Sequence, residues 1–111
     1  MLKLQKITSL KELDISENSV GDASLALLAP LKALEKLDMG GTKVTNLGLI
    51  HLKHLRELEV LDLSSTKIDN SGASMFKDLV NLRLVNAAKT KLDTAGVSLI
   101  RMHNAAVAVE I

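Results

Sequence analysis

Residues 58–81 read LEVLDLSSTKIDNSGASMFKDLVN, and residues 34–57 read LEKLDMGGTKVTNLGLIHLKHLRE. Laid one over the other they align without a gap, apolar column on apolar column, and the shift of 24 residues carries through the chain. Leu10, Leu34, Leu58, Leu82 and Ala106 open successive units. Three residues later stand Leu13, Leu37, Leu61, Val85 and Val109, and two beyond those Ile15, Met39, Leu63, Ala87 and Ile111. The ninth position holds Asn18, Thr42, Thr66 and Thr90, and the eleventh holds Val20, Val44, Ile68 and Leu92. The second half of the unit carries three columns spaced by three: Leu25, Leu49, Ala73 and Val97; Leu28, Leu52, Phe76 and Ile100; Leu31, Leu55, Leu79 and His103.

The period changes inside each unit, from two to three, and this change predicts a strand, a turn and a helix of roughly eight to ten residues. A strand such as Leu61-Asp62-Leu63 alternates, so one side enters a core and the other meets solvent. The pairs Gly21-Asp22, Thr45-Asn46, Asp69-Asn70 and Asp93-Thr94 bring short polar side chains that can accept hydrogen bonds from the first free amides of the following helix. Equal crossovers make consecutive strands parallel and adjacent, in a right-handed coil. One unit cannot bury its apolar stripe alone, whereas stacked units share a continuous core.

This pattern resembles the leucine-rich repeat family, whose unit L-x-x-L-x-L-x-x-N stands here as Leu10-Lys11-Glu12-Leu13-Asp14-Ile15-Ser16-Glu17-Asn18. The segments Asp69-Asn70-Ser71-Gly72 and Asp93-Thr94-Ala95-Gly96 look like the T-D-x-G-L segment of its 24-residue, helix-bearing classes, similar to the cysteine-containing type but without cysteine. Thr replaces the ninth-position Asn in three units, and its hydroxyl can serve the turn backbone with less reach than an amide. The resemblance implies an α/β solenoid, a right-handed β-α superhelix with a parallel sheet on its concave face and short helices on its convex face. It also implies a protein-recognition part, of the kind found in ubiquitin-ligase adaptors, pathogen effectors and scaffolds; paired carboxylates such as Asp14 and Asp38 would need a cleft for acid-base work that a shallow uniform sheet does not supply, so no enzyme is expected.

The organisation expected is one domain over 1–111: the end of a preceding unit at 1–9, repeats at 10–33, 34–57, 58–81 and 82–105, and a partial strand at 106–111. No capping element is legible at either end. An open parallel edge strand favours association, so self-association or insertion into a larger assembly is the alternative to a free recognition module. The last unit is weaker, with Ala87, Ala106 and His103 in core columns.

Composition narrows the partners. Leu is 22 of 111 residues, and 14 basic residues against 13 acidic give a net charge of +1, with no general field for nucleic acid or an anionic membrane. Phe76 is the one aromatic, which leaves bases nothing to stack on. There is no cysteine, hence no disulfide or thiolate chemistry. Neither a signal-peptide core nor an apolar run of membrane-spanning length is present, which predicts a soluble, intracellular, cytoplasmic protein. His51 and His54 sit three apart without a third ligand, so no metal is expected, and His103 is expected as a partly buried, hydrogen-bonded imidazole. Gly40-Gly41-Thr42 belongs to no phosphate loop, and no cofactor is implied. Lys53, His54, Arg56, Lys77 and Arg101 form a basic strip on the helical side, read as a solvated face.

The outward columns of the strands carry the site. One holds Asp14, Asp38, Asp62, Asn86 and Glu110, with neighbours about 4.8 Å apart. Carboxylates this close repel by about 1–3 kcal/mol per pair unless they are partnered. Such a column is either a habit of the repeat or an acidic stripe that aligns a basic helix or peptide. The adjoining column, Glu12, Lys36, Val60, Leu84 and Ala108, turns apolar along the stack, and adjacent exposed apolar residues mark a contact surface. The next, Ser16, Gly40, Ser64 and Ala88, is small throughout and lets a partner approach closely. The predicted partner-binding residues are Asp14, Asp38, Asp62, Val60, Leu84 and Lys36.

Overall fold

The strand triplets inferred from the period of two form one parallel sheet. In the computed structural model, which describes residues 8–111, they are β1 (Glu12–Asp14), β2 (Lys36–Asp38), β3 (Val60–Asp62), β4 (Leu84–Asn86) and β5 (Ala108–Glu110), in that spatial order. Every pairing is parallel with a shift of 24, Leu13 to Leu37 to Leu61 to Val85 to Val109. A slip of one residue would turn the leucines to water and the aspartates into the core, so the alternation itself enforces this register. The expected piece of a preceding unit falls largely on residues 1–7, outside the described residues.

The first two return segments are shorter than the predicted eight to ten residues, and the first three are wound more tightly in whole or in part. The first is α1 (Asp22–Leu25) running into a 3-10 turn at Ala26–Leu28, and the second and third are 3-10 helices at Asn46–Leu52 and Asn70–Asp78. Only the fourth, α2 (Thr94–His103), is a full α-helix. A 3-10 helix has three residues per turn, so columns spaced by three stay in line: Leu49, Leu52 and Leu55, then Ala73, Phe76 and Leu79, are all buried.

In α2 the same spacing drifts, because 3.6 residues per turn move each step of three by roughly 60°. Ile100 remains buried while His103 is carried out to solvent, which corrects its expected place in the core. The strand that follows is affected too. Val107 N donates to Asn104 O as Leu82 N donates to Leu79 O, so Val107 fills the core site expected for Ala106, which is exposed. Asn104 uses the displaced position differently, donating from Nδ2 to Leu82 O at 2.8 Å.

The core is the stacked leucine columns, with Leu25, Leu28, Leu31, Leu34, Leu58 and Leu61 fully buried. Threonine works at the ninth position as anticipated. Thr42, Thr66 and Thr90 donate from Oγ1 to Met39 O, Leu63 O and Ala87 O at 2.8, 2.6 and 2.6 Å, the same i−3 carbonyl that Asn18 Nδ2 reaches on Ile15. Just before it, Glu17, Gly41, Ser65 and Lys89 have φ of 57°, 68°, 55° and 58°. This left-handed residue ends the strand line and lets the chain turn away from the sheet in every coil.

Candidate functional site

The register assembles the predicted face. Asp14, Asp38, Asp62, Asn86 and Glu110 lie side by side, as do Glu12, Lys36, Val60, Leu84 and Ala108. Asp14 and Lys36 are exposed, and Asp38, Asp62, Val60 and Leu84 are half-buried. A shallow depression of about 300 Å³ is lined by Lys36, Val60 and the three aspartates together with Glu12. Leu84 is paired to Val60 and extends the apolar patch beyond the depression's lining. All six residues therefore share one face.

The aspartates also do local work. Asp14 Oδ1 accepts from Ser16 N and Oγ at 2.9 and 2.6 Å, Asp38 Oδ1 from Gly40 N at 2.9 Å, and Asp62 Oδ1 from Ser64 N and Oγ at 2.9 and 2.7 Å. Asn86 repeats the motif with Ala88 N at 3.0 Å. Each side chain thus closes a turn at the end of its own strand, which accounts for a short oxygen-bearing residue at this position in coil after coil. The Ser16 hydroxyl, then the Ser16 amide, hold the Asp14 carboxyl below its ordinary value. Repulsion is eased at the far end, where Asn86 Nδ2 approaches Asp62 Oδ2 at 3.4 Å. Gly40 lies among these groups, and a Cβ there would meet Ser64 Oγ at 2.9 Å.

A second ladder, on the helical side, escaped the sequence reading in part. The expected caps are present: Thr45, Asp69 and Asp93 accept from Leu47 N, Ser71 N and Ala95 N. Gly21 caps with no side chain, and the neighbouring Asp22 serves the next coil instead, accepting from Thr45 N at 2.7 Å and from the Thr45 hydroxyl. Asn46 and Asn70 do the same with both ends of the amide. Asn46 Oδ1 accepts from Asp69 N at 3.0 Å and its Nδ2 donates to Asp69 Oδ1 at 2.6 Å; Asn70 pairs with Asp93 in the same way at 3.1 and 2.8 Å. Gly48, Gly72 and Gly96 make room for these side chains.

The amide of Asn46, followed by Ser71 N, holds the Asp69 carboxyl below its ordinary value, and Asn70 with Ala95 N does so for Asp93. A carboxyl lowered by folding contributes stability that is complete above its unfolded value and is lost as pH falls through the folded one. The urea midpoint should therefore decline as pH drops through the ordinary aspartate range, about 4 and below. Asp69→Asn combined with Asp93→Asn, which keeps an acceptor oxygen, should flatten that decline. An unchanged acid slope in the double variant would refute the assignment.

The structure also exposes an apolar strip that the core columns skip. Leu47, 78% exposed, and Ile50 line a depression of about 440 Å³ with Met75 and Lys67. The corresponding positions in other units are Ala23, Ser71 and Ala95, and Ala26, Ser74 and Ser98, so no column flagged them. Lys53, His54, Arg56, Lys77 and Arg101 are all exposed, in line with a solvated face. Among the described residues no helix is long and apolar enough to cross a membrane, and no three or more His, Asp or Glu side chains form a metal-holding group.

A family model described as Leucine Rich repeat matches residues 6–29 and 50–77. No curated protein matches the sequence. Among solved structures, an internalin (inlF) from Listeria monocytogenes is 18% identical with a TM-score of 0.61 over 99% of this chain and 37% of its own. An internalin C2 (inlC2) from the same organism is 22% identical with a TM-score of 0.64 over 96% of this chain and 54% of its own. The chain spans between about a third and about half of the length of these internalins. At these identities the likeness is one of fold.

Proposed function

Because this chain is a leucine-rich repeat solenoid, we propose that it is a recognition module that binds a protein partner on the outward face of its parallel sheet. The observation that carries this reading is the pairing of Val60 with Leu84 beside Asp38, Asp62 and Asn86. Two half-buried apolar side chains form the anchor, and the acidic column beside them orients a basic helix or peptide and speeds its arrival. Lys36 and Glu12 lie at the other end of the anchor column and fix the direction in which a charged ligand lies. A shallow, continuous face of this kind suits an extended surface rather than a small molecule.

The test is capture from an extract of the source cells with the wild-type chain and with Val60→Glu/Leu84→Glu. The partner is expected to be retained by the wild type and lost by the variant. With the captured partner, Asp38→Asn/Asp62→Asn should weaken binding by roughly tenfold and reduce the salt dependence of association. Asparagine keeps the Oδ1 acceptor that closes each strand-end turn, so this variant removes charge without removing the turn. Binding unaffected by both double variants would place the contact elsewhere.

A further inference from the structure

The tenth position of the unit carries a second charged ladder, of opposite sign to the first. Lys43, Lys67 and Lys91 are exposed and stand 24 residues apart. Their amides donate to Val20 O, Val44 O and Ile68 O at 2.8, 3.1 and 3.1 Å, and Lys67 and Lys91 bridge in parallel to Thr45 and Asp69 of the preceding coils. The three lysines are thereby locked to the same coil-to-coil spacing as the aspartates, about 4.8 Å. Lys89 adds a fourth charge, and it shares a depression of about 480 Å³ with Lys67, Lys91, Thr66 and Thr90.

Neither ion pair among the described residues, Lys11 with Glu35 and Arg83 with Glu59, involves these lysines. Asp69 lines the same depression; its Oδ1 is engaged by Asn46 and Ser71, and Lys91, though not in ion-pair contact, adds to their hold on the carboxyl. The aspartate column ends its strands, and the left-handed residues Gly41, Ser65 and Lys89 then turn the chain before the lysines are reached. Acidic and basic ladders of one copy thus lie on different sides of the same coils.

We infer that the lysine ladder is an interaction surface for the acidic ladder of a second copy of this chain. Three lysines and three aspartates have equal pitch because both inherit it from the same stack, so one register aligns all three pairs. The contact joins two different surfaces and is head-to-tail, which builds chains of copies, open or closed into rings according to the rotation between neighbours. Exposed ion pairs are individually weak and screened by salt, so the association belongs to low ionic strength and high concentration. Its acidic half rests on the sheet-face reading above.

Sedimentation equilibrium on three proteins tests it, after circular dichroism has shown equal folding: the wild type, Lys43→Gln/Lys67→Gln/Lys91→Gln, and Asp14→Asn/Asp38→Asn/Asp62→Asn. In about 10 mM salt, where the Debye length is about 30 Å, the wild-type mass should climb with concentration above the 11.9 kDa monomer. In about 1 M salt it should return to the monomer value. Each triple variant alone should remain monomeric, and an equimolar mixture should form a one-to-one dimer, since each supplies the ladder the other lacks. A wild type that stays monomeric, a lysine variant that still associates, or a mixture that does not dimerise overturns the inference. So does a monomeric wild type whose lysines instead bind a polyglutamate peptide, which would assign the ladder to a different acidic occupant. The lysine variant keeps Val60, Leu84 and the aspartates, so a variant that is monomeric yet still captures the partner separates this inference from the sheet-face function.

Discussion

Leu61→Ala is expected to lower the stability of the fold by about 2–5 kcal/mol. Leu61 is fully buried at the centre of β3, flanked in register by Leu37 of β2 and Val85 of β4. In a solenoid each coil contacts its neighbours alone, so a cavity in the middle coil weakens two interfaces together. A domain of this size has about 5–15 kcal/mol to lose, which makes this one substitution a large share of the total. Thermal unfolding should shift down by roughly 4–8 °C for each kcal/mol, and the urea midpoint should fall at constant slope. Val109→Ala is the comparison. Val109 is half-buried in β5, which pairs with β4 alone, and its truncation should cost well under half as much. Equal losses at the two sites would show that the coils do not stack as a shared core.

Gly72→Ala should cost about 1–3 kcal/mol, although alanine ordinarily improves a helical position. Gly72 is buried in the third return segment, and a Cβ there would fall inside the contact distance of Asn46 Oδ1 and 3.1 Å from Leu49 Cδ1. The displaced amide is the one that holds Asp69 from both sides, so its hydrogen bonds are lost with the space. Two further variants isolate the cause. Gly21→Ala meets nothing within 4 Å and should cost only about 0.5 kcal/mol, the difference between glycine and alanine at an N-cap. Asn46→Ala should itself destabilise by about 1–2 kcal/mol through its two hydrogen bonds, and the double variant Asn46→Ala/Gly72→Ala should lose clearly less than the sum. Strict additivity would mean that the glycine is needed for some reason other than the neighbouring asparagine.

These two expectations differ in how they could be reached. Leu61 is a core residue on the period alone, because alternation around Asp62 leaves it no other side. Gly72 looks like one more small residue near a helix start; its reason lies in Asn46, a whole coil away, and no spacing rule links the two. The acidic column was likewise legible as a column, and the coordinates add its local role: Oδ1 of Asp14, Asp38 and Asp62 is committed to closing turns. Leu47 and Ile50 were missed because no other coil repeats them, and the reading depended on repetition.

The order of the strands, their parallel pairing and the membership of the outward columns were determined by the sequence, since a 24-residue period with an inner alternation leaves one register in which the inward strand column, Leu37, Leu61 and Val85 at its centre, is buried. The tertiary structure decided the rest. Columns spaced by three are equally compatible on paper with a 3-10 and an α-helix, and the choice between them, made by packing against the adjacent coil, set the fates of His103, Ala106 and Val107. Which side chain each polar group bonds was decided there too, because hydrogen bonds depend on distances of a few tenths of an ångström between coils, and a one-dimensional pattern carries burial but not those distances.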